Sequence, residues 1–498
     1  MTLAETSSPA PVAPRLTGTQ FVVPLFCATA LLAVPSGLFF LPVLDSGRAH
    51  LGLSTVLFGA GFLYTAGRLA SLMWSGRAQW AALGFWIFTY SWVAVAGLTQ
   101  DLARSNPLGV TFTLDEAQRQ GLLVLLGIVA FDVAHRAAGA RGGDVRSGAA
   151  RFGVLLGRVV DPRRTLVLGW FAVVTGPLFV ALLGGPSVLL SSRQAVFDEL
   201  SQSGLYSSST NATGGSLSTV ANCLPFVALL VLGRLMADDR QVRARTSTWV
   251  LLVLLVGLNV VVNNPISNAR YWAFAVILGL LYAWRGSARP LFRAAFVTAF
   301  ALGALTVFPY LDAFRYDSAT LAANPGAGTY DRPVDYILAK TDYGSITDIG
   351  IAVRFGDSQG PQWGRQILGA ATFWVPRSLW TDKPDNTAFL LADEVGFANR
   401  NIDSPLWAEG YVDLGWAGAA ALLAAAGAAC RRLDDAFELT RAGPTAAVPL
   451  AAVLVPAVAA YEFILVRGSL LQAMAKIAVM LVLLVLVTTR PDGWREEG

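Results

Sequence analysis

Phe373-Trp-Val-Pro-Arg377-Ser-Leu-Trp380-Thr-Asp-Lys383-Pro384, followed by Trp407-Ala-Glu409-Gly-Tyr411-Val-Asp413-Leu-Gly415, is the stretch on which the reading of this chain turns. Both runs lie in its one long polar stretch, roughly Pro309 to Asp413. On either side, one apolar segment follows another. A bilayer core takes about 20 apolar residues per helix. On that rule spans fall at 21–44, 51–67, 80–98, 119–137, 165–185, 217–236, 248–263, 271–285, 291–309, 414–430, 444–464 and 469–489. The expected fold is all-α: a polytopic transmembrane helical bundle of about 12 spans, with one large extracytoplasmic loop between spans 9 and 10. The chain divides into a disordered cytoplasmic tail (1–20), spans 1–9 (21–309), a loop with interfacial helices (310–413), and spans 10–12 with a cytoplasmic C-terminus (414–498).

Composition supports a membrane protein. Of 498 residues 54% are hydrophobic and only 14% charged, where a soluble chain carries about 25%. The net charge of +4 comes from arginines spread over short loops, so it does not indicate a nucleic-acid partner. Cys27, Cys223 and Cys430 lie in apolar stretches and read as small core residues. Two histidines, His50 and His135, are too few for a histidine metal site. The segment 21–44 is longer than a signal-peptide core and more spans follow, so it reads as an uncleaved first helix. With both termini in the cytoplasm, the inner segments hold 22 arginines and the short outer loops six. The positive-inside bias then puts the large loop outside a bacterial cytoplasmic membrane. Residues 185–218, rich in Ser and Gly, read as a flexible outer loop.

The large loop has eight cations and about fourteen acids. Any phosphate there must be held by particular cations rather than by an overall field. Arg377 and Lys383 lie among Phe373, Trp374 and Trp380, a mixture suited to the membrane interface. A guanidinium there meets the headgroup level, where a lipid-linked diphosphate lies. The alternative is contact with ordinary anionic lipid. Arg270 closes the tight loop Asn263-Asn264-Pro265-Ile-Ser-Asn268-Ala-Arg270 and opens a span, against both the helix dipole and the topology bias. Either an anion docks there or the side chain snorkels. Glu409, at a dry membrane edge, suits a general base on a sugar hydroxyl, or else a structural ion pair. Glu462 and Lys476 are charges within spans that suit mutual pairing. Asp132 and Arg234, near inner helix ends, are expected to snorkel. Walker A, Cys-x-x-Cys, His-Glu-x-x-His and Gly-x-Ser-x-Gly motifs are absent from the sequence.

The many spans, the late outer loop, Asn268-Ala-Arg270 and the elements between Gly364 and Gly415 resemble the O-antigen polymerase (Wzy-like) family of oligosaccharide repeat-unit polymerases. The resemblance implies a C-type glycosyltransferase without metal or other cofactor, acting on undecaprenyl-diphosphate-linked repeats to build a surface polysaccharide. Arg270 and Arg377, with Arg365 and Lys383, would hold the departing diphosphate, and Glu409 would take the acceptor proton. Tyr343, Trp363, Trp380, Trp407 and Tyr411 would face the sugars. Implied partners are the lipid-linked oligosaccharide, the bilayer, and a chain-length regulator or flippase. Three other readings are an O-antigen ligase-like transferase, which usually relies on an outer-loop histidine that this loop lacks, a flippase or other transporter, and a non-catalytic scaffold of an envelope complex.

Overall fold

The computed structural model describes residues 18–47, 49–140, 157–191, 211–266, 268–310, 330–398, 400, 402–441 and 447–490. Most of the expected tail, residues 311–329 of the loop and much of 185–218 lie outside these residues. The fold is 78% helical. Its strands among the described residues are Val159–Val160 and Thr488–Thr489, paired antiparallel.

In chain order the bundle begins with α1 (Phe21–Asp45), α2 (Leu53–Trp74), α3 (Trp80–Ala103), α4 (Leu114–Gly139), α5 (Pro162–Leu182) and α6 (Ser218–Asp238). It continues with α7 (Thr246–Val262), α8 (Arg270–Ala283) and α9 (Pro290–Thr306). Among the described residues the polar stretch forms four short α-helices, α10 (Pro333–Ala339), α11 (Ser345–Ser358), α12 (Arg365–Ala371) and α13 (Thr387–Glu394). The bundle resumes with α14 (Leu406–Leu439), α15 (Ala451–Arg467) and α16 (Leu470–Leu486). A helix therefore occupies each expected apolar stretch. Among the described residues seven, α1–α6 and α14, are long and apolar enough to cross a membrane. The others are shorter: the 14 residues of α8 reach about 21 Å, less than the ~30 Å of a bilayer core.

Helix starts follow local chemistry. Thr113 and Glu116 form a reciprocal box at the start of α4: Thr113 N–H donates to Glu116 Oε2 (2.7 Å) and Glu116 N–H to Thr113 Oγ1 (3.2 Å). Asp161 caps α5 by accepting from the N–H groups of Arg163 and Arg164, with Pro162 at the first helical position. Helix α3 is apolar all round and lies at the centre, its apolar window wholly buried. It contains a π-helical segment, Thr89–Val95.

The described part of the polar stretch, from 330 onward, packs against the bundle. Ten of the 14 residues of α11 are buried, and buried glutamines fasten it to the bundle. Gln100 Nε2 donates to Tyr343 O (2.9 Å), Thr347 Oγ1 donates to Gln100 Oε1 (3.1 Å), and Gln120 Nε2 donates to Ile346 O (2.5 Å). Helix α14 starts at Leu406, earlier than the expected boundary at 414. It breaks at Leu414–Gly415, where Gly415 has φ +62°, a conformation that favours glycine. The expectation that Asp132 and Arg234 snorkel is not met. Asp132 is buried and bound by Arg68, Arg136 and Tyr64, and Arg234 pairs with Asp238 (2.9 Å). All three cysteines are unpaired and buried.

Helices α4 and α14 approach closely enough that a Cβ on Gly427 would lie 2.2 Å from the Phe131 carbonyl oxygen. Small residues permit such backbone contact between membrane helices. Gly427→Ala is expected to destabilise the protein by about 1–3 kcal/mol, read as a lower melting temperature in detergent. Gly303→Ala, where a Cβ meets nothing within 4 Å, should leave it unchanged. Equal behaviour of the two variants would refute this packing.

Candidate functional site

Arg270 is positioned by an asparagine-rich turn. Asn263 Nδ2 donates to Asn259 Oδ1 (2.8 Å), Asn222 Nδ2 to Asn268 Oδ1 (3.2 Å), and Trp272 Nε1 to Asn263 Oδ1 (2.8 Å). These bonds satisfy polar groups that have no water to turn to inside a bundle. The first residue of α8 is thereby aimed into a cavity of about 310 Å³. The cavity lies where the start of α8, the end of α15 and the start of α16 meet the inserted segment.

Three cations line it, each from a different bundle helix: Arg270, Arg467 at the end of α15, and Lys476 on α16. Three acids face them from the inserted segment: Asp342, Asp348 and Asp403. Arg270 Nη2 donates to Asp342 Oδ2 (2.7 Å), which also accepts from the Tyr336 hydroxyl (2.6 Å). Arg467 pairs with Asp403 (2.9 Å), whose other oxygen accepts from Ser345 Oγ (2.7 Å). Aromatic faces support the cations. Arg270 lies 4.6 Å from the Phe308 ring centre, Arg467 4.0 Å from Tyr271 and Lys476 4.0 Å from Trp272. Burial pushes the Asp348 carboxyl well above the usual carboxylate range, and the Asp403 charge adds to the effect. Burial also pushes Asp403 up to about 6, against the opposing pull of Arg467 and Ser345.

Most of the other residues singled out from sequence lie elsewhere. Arg377 does not line the cavity; it donates to the carbonyls of Lys383 (2.7 Å) and Pro384 (3.3 Å) and pairs with Asp385 (2.5 Å). Lys383 Nζ binds the carbonyls of Thr372, Phe373 and Val375. Together they staple a turn-rich segment whose carbonyls lack helical partners. Arg365 reaches the Asp382 carbonyl (3.0 Å) at the surface. Glu409 is buried with both oxygens engaged, by the Thr387 hydroxyl (2.6 Å) and by Leu470 N–H (2.9 Å), so its geometry makes it a cap for α16. Trp407 is core, stacked on Phe85 at 5.6 Å, and Tyr343 is core, stacked on Trp92 at 5.8 Å. Trp380 is half-buried outside the cavity. Trp363 and Tyr411 do meet, around a separate hollow of about 150 Å³, with Trp363 79% exposed.

Of the cations expected to hold a diphosphate, Arg270 lines this cavity, while Arg365, Arg377 and Lys383 of the inserted segment do not; the inserted segment contributes its acids instead. Sequence reasoning missed Arg467, Asp342, Asp348 and Asp403. Arg467 carried the same sign as Arg270, an outer arginine against the topology bias. Glu462 and Lys476, expected to suit mutual pairing, lie apart: Cys430 Sγ donates to Glu462 Oε1 (3.2 Å) while Lys476 borders the cavity.

Folding raises the Asp403 carboxyl above its ordinary value, so the fold favours its protonated form. That contribution is complete below about pH 4 and is lost as pH rises through about 6. The melting temperature in detergent should therefore fall from pH 5 to pH 7, and fall less in Asp403→Asn. Identical slopes would contradict the assignment.

Comparison with known protein families, curated proteins and solved structures finds no match to this chain.

Proposed function

We propose that this protein is a membrane-embedded glycosyltransferase that polymerises polyprenyl-diphosphate-linked oligosaccharide repeats into a surface polysaccharide, on the outer face of a bacterial cytoplasmic membrane. The observation that carries the reading is the convergence of Arg270, Arg467 and Lys476, from three helices, on one cavity of about 310 Å³ in a bundle otherwise poor in charge. That volume is at the lower end of small-molecule pockets.

The chemistry follows from charge. Breaking the anomeric bond of a lipid-linked donor leaves negative charge on a diphosphate. Fixed guanidinium groups in a site shielded from water stabilise such charge more than water does. Arg270 and Arg467 suit that task because each is already held by an aspartate and an aromatic face, so little reorganisation accompanies binding. Lys476 adds a point charge. Read as about 12 spans with the inserted segment outside, the bundle would present this cavity to the leaflet where the donor headgroup lies. Trp363 and Tyr411, at their separate hollow, suit contact with a more distant part of the glycan. The bilayer supplies the prenyl chain's environment, and a flippase and a chain-length regulator are the expected companions.

Arg270→Ala and Arg467→Ala are each expected to lower polymer formation by about 10²–10³-fold, leaving glycan of a single repeat. Arg377→Ala should keep long-chain glycan, because Arg377 serves only its local turn. Gel profiles of surface glycan from cells carrying each variant read this directly. Lipid-linked repeats accumulating only on the cytoplasmic leaflet would favour transport over polymerisation.

A further inference from the structure

We infer that Asp348 is the general base that takes the proton from the acceptor hydroxyl, an assignment that rests on the polymerase reading above. Three aspartates border the cavity. Asp342 already accepts from Arg270 and Tyr336, and Asp403 from Arg467 and Ser345. Asp348 differs. It is 1% exposed, it borders the cavity, and its Oδ1 has no hydrogen-bond partner among the described residues. A buried carboxylate oxygen without a partner, on a residue that borders a polar cavity, is an acceptor awaiting a donor. A sugar hydroxyl supplies that donor and places its proton within reach of a base.

The position is rigid. Asp348 lies in the first turn of α11, and its neighbours Ile346 and Thr347 are tied to Gln120 and Gln100. The charged groups around it are Asp342 and Asp403 of the inserted segment, Arg270 from α8, Arg467 from α15 and Lys476 from α16. Burial and Asp403 push the carboxyl up, and Arg467 pulls it back. A carboxylate pushed up by burial accepts a proton more readily than an exposed one does.

The step balances. The acceptor oxygen bonds to the donor's anomeric carbon. The bond from that carbon to the diphosphate oxygen breaks, and its electron pair leaves with the polyprenyl diphosphate beside Arg270 and Arg467. The hydroxyl proton passes to the Asp348 carboxylate and is released to water when product departs.

The test uses the full-length protein in lipid nanodiscs. Undecaprenyl diphosphate is the binding probe, and the substrate is the lipid-linked oligosaccharide pool extracted from cells lacking this protein. Wild type should give a ladder spaced by one repeat, with kcat/KM falling on the acid side. Asp348→Asn should bind the probe within about twofold of wild type, yet elongate about 10²–10⁴-fold more slowly, with the acid limb gone. Asp348→Glu should recover part of the rate and keep the limb. Near-normal elongation by Asp348→Asn, or a wild-type profile without an acid limb, overturns the assignment. So does joint loss of probe binding and elongation in both variants, which marks a purely structural residue. A wild-type protein that binds the probe but makes no ladder overturns the polymerase reading itself, and the base with it.

Discussion

One helix holds the other elements in place through their backbone. Along α14, three buried carboxylates each serve the N-terminus of a different helix. Glu409 accepts from Leu470 N–H of α16 (2.9 Å), and Asp413 accepts from Gln366 and Ile367 N–H of α12 (3.0 and 2.8 Å). Asp434 accepts from Ala81 and Ala82 N–H of α3 (2.9 and 3.2 Å). The first N–H groups of any helix lack intrahelical partners, and within an apolar bundle water cannot replace them. A carboxylate both fills the bonding gap and matches the positive end of the helix dipole. The break at Leu414–Gly415 falls just beyond Asp413. It divides a stretch facing the inserted segment, with Glu409 and Asp413, from one running to the opposite end of the bundle, with Asp434.

The cavity depends on this scaffold. Capping α16 fixes the turn from which Lys476 projects, and capping α12 holds the inserted segment against the bundle. Two ion pairs then close the seam, Arg270 to Asp342 and Arg467 to Asp403, with little solvent access at any of the four side chains. Removing one partner of such a pair leaves a charge that burial no longer tolerates, typically at a cost of 3–5 kcal/mol. The same pairs keep the guanidinium groups in place before any ligand arrives. Structure and proposed chemistry therefore use the same residues: aspartates orient the arginines, and the arginines are left directed at the cavity.

Charged and aromatic residues of the polar stretch divide by burial in a way their sequence spacing does not announce. Trp407, Tyr343 and Glu409 are as buried as any core residue, while Trp363 stands largely exposed on a left-handed backbone position (φ +55°). Lys383 spends its three donors on three carbonyls of its own turn. These placements explain why a run rich in Arg, Lys and Trp serves local structure, while an aspartate from a mostly buried helix borders the cavity.

The sequence alone determined that this is a helical membrane-type protein with apolar helices at given positions and one long polar interruption, because hydropathy over twenty residues is a local property. It also singled out Arg270, whose oddity, a cation opening a helix, is local as well. It could not tell which charges would meet. Arg270, Asp348 and Arg467 come from helices far apart in the chain, and only packing brings them to one cavity. Nor could it separate Glu409 the cap from Glu409 the base, since a carboxylate's role is set by the donors around it. Those donors, the Thr387 hydroxyl and the start of α16, are supplied by elements that only the tertiary fold brings alongside.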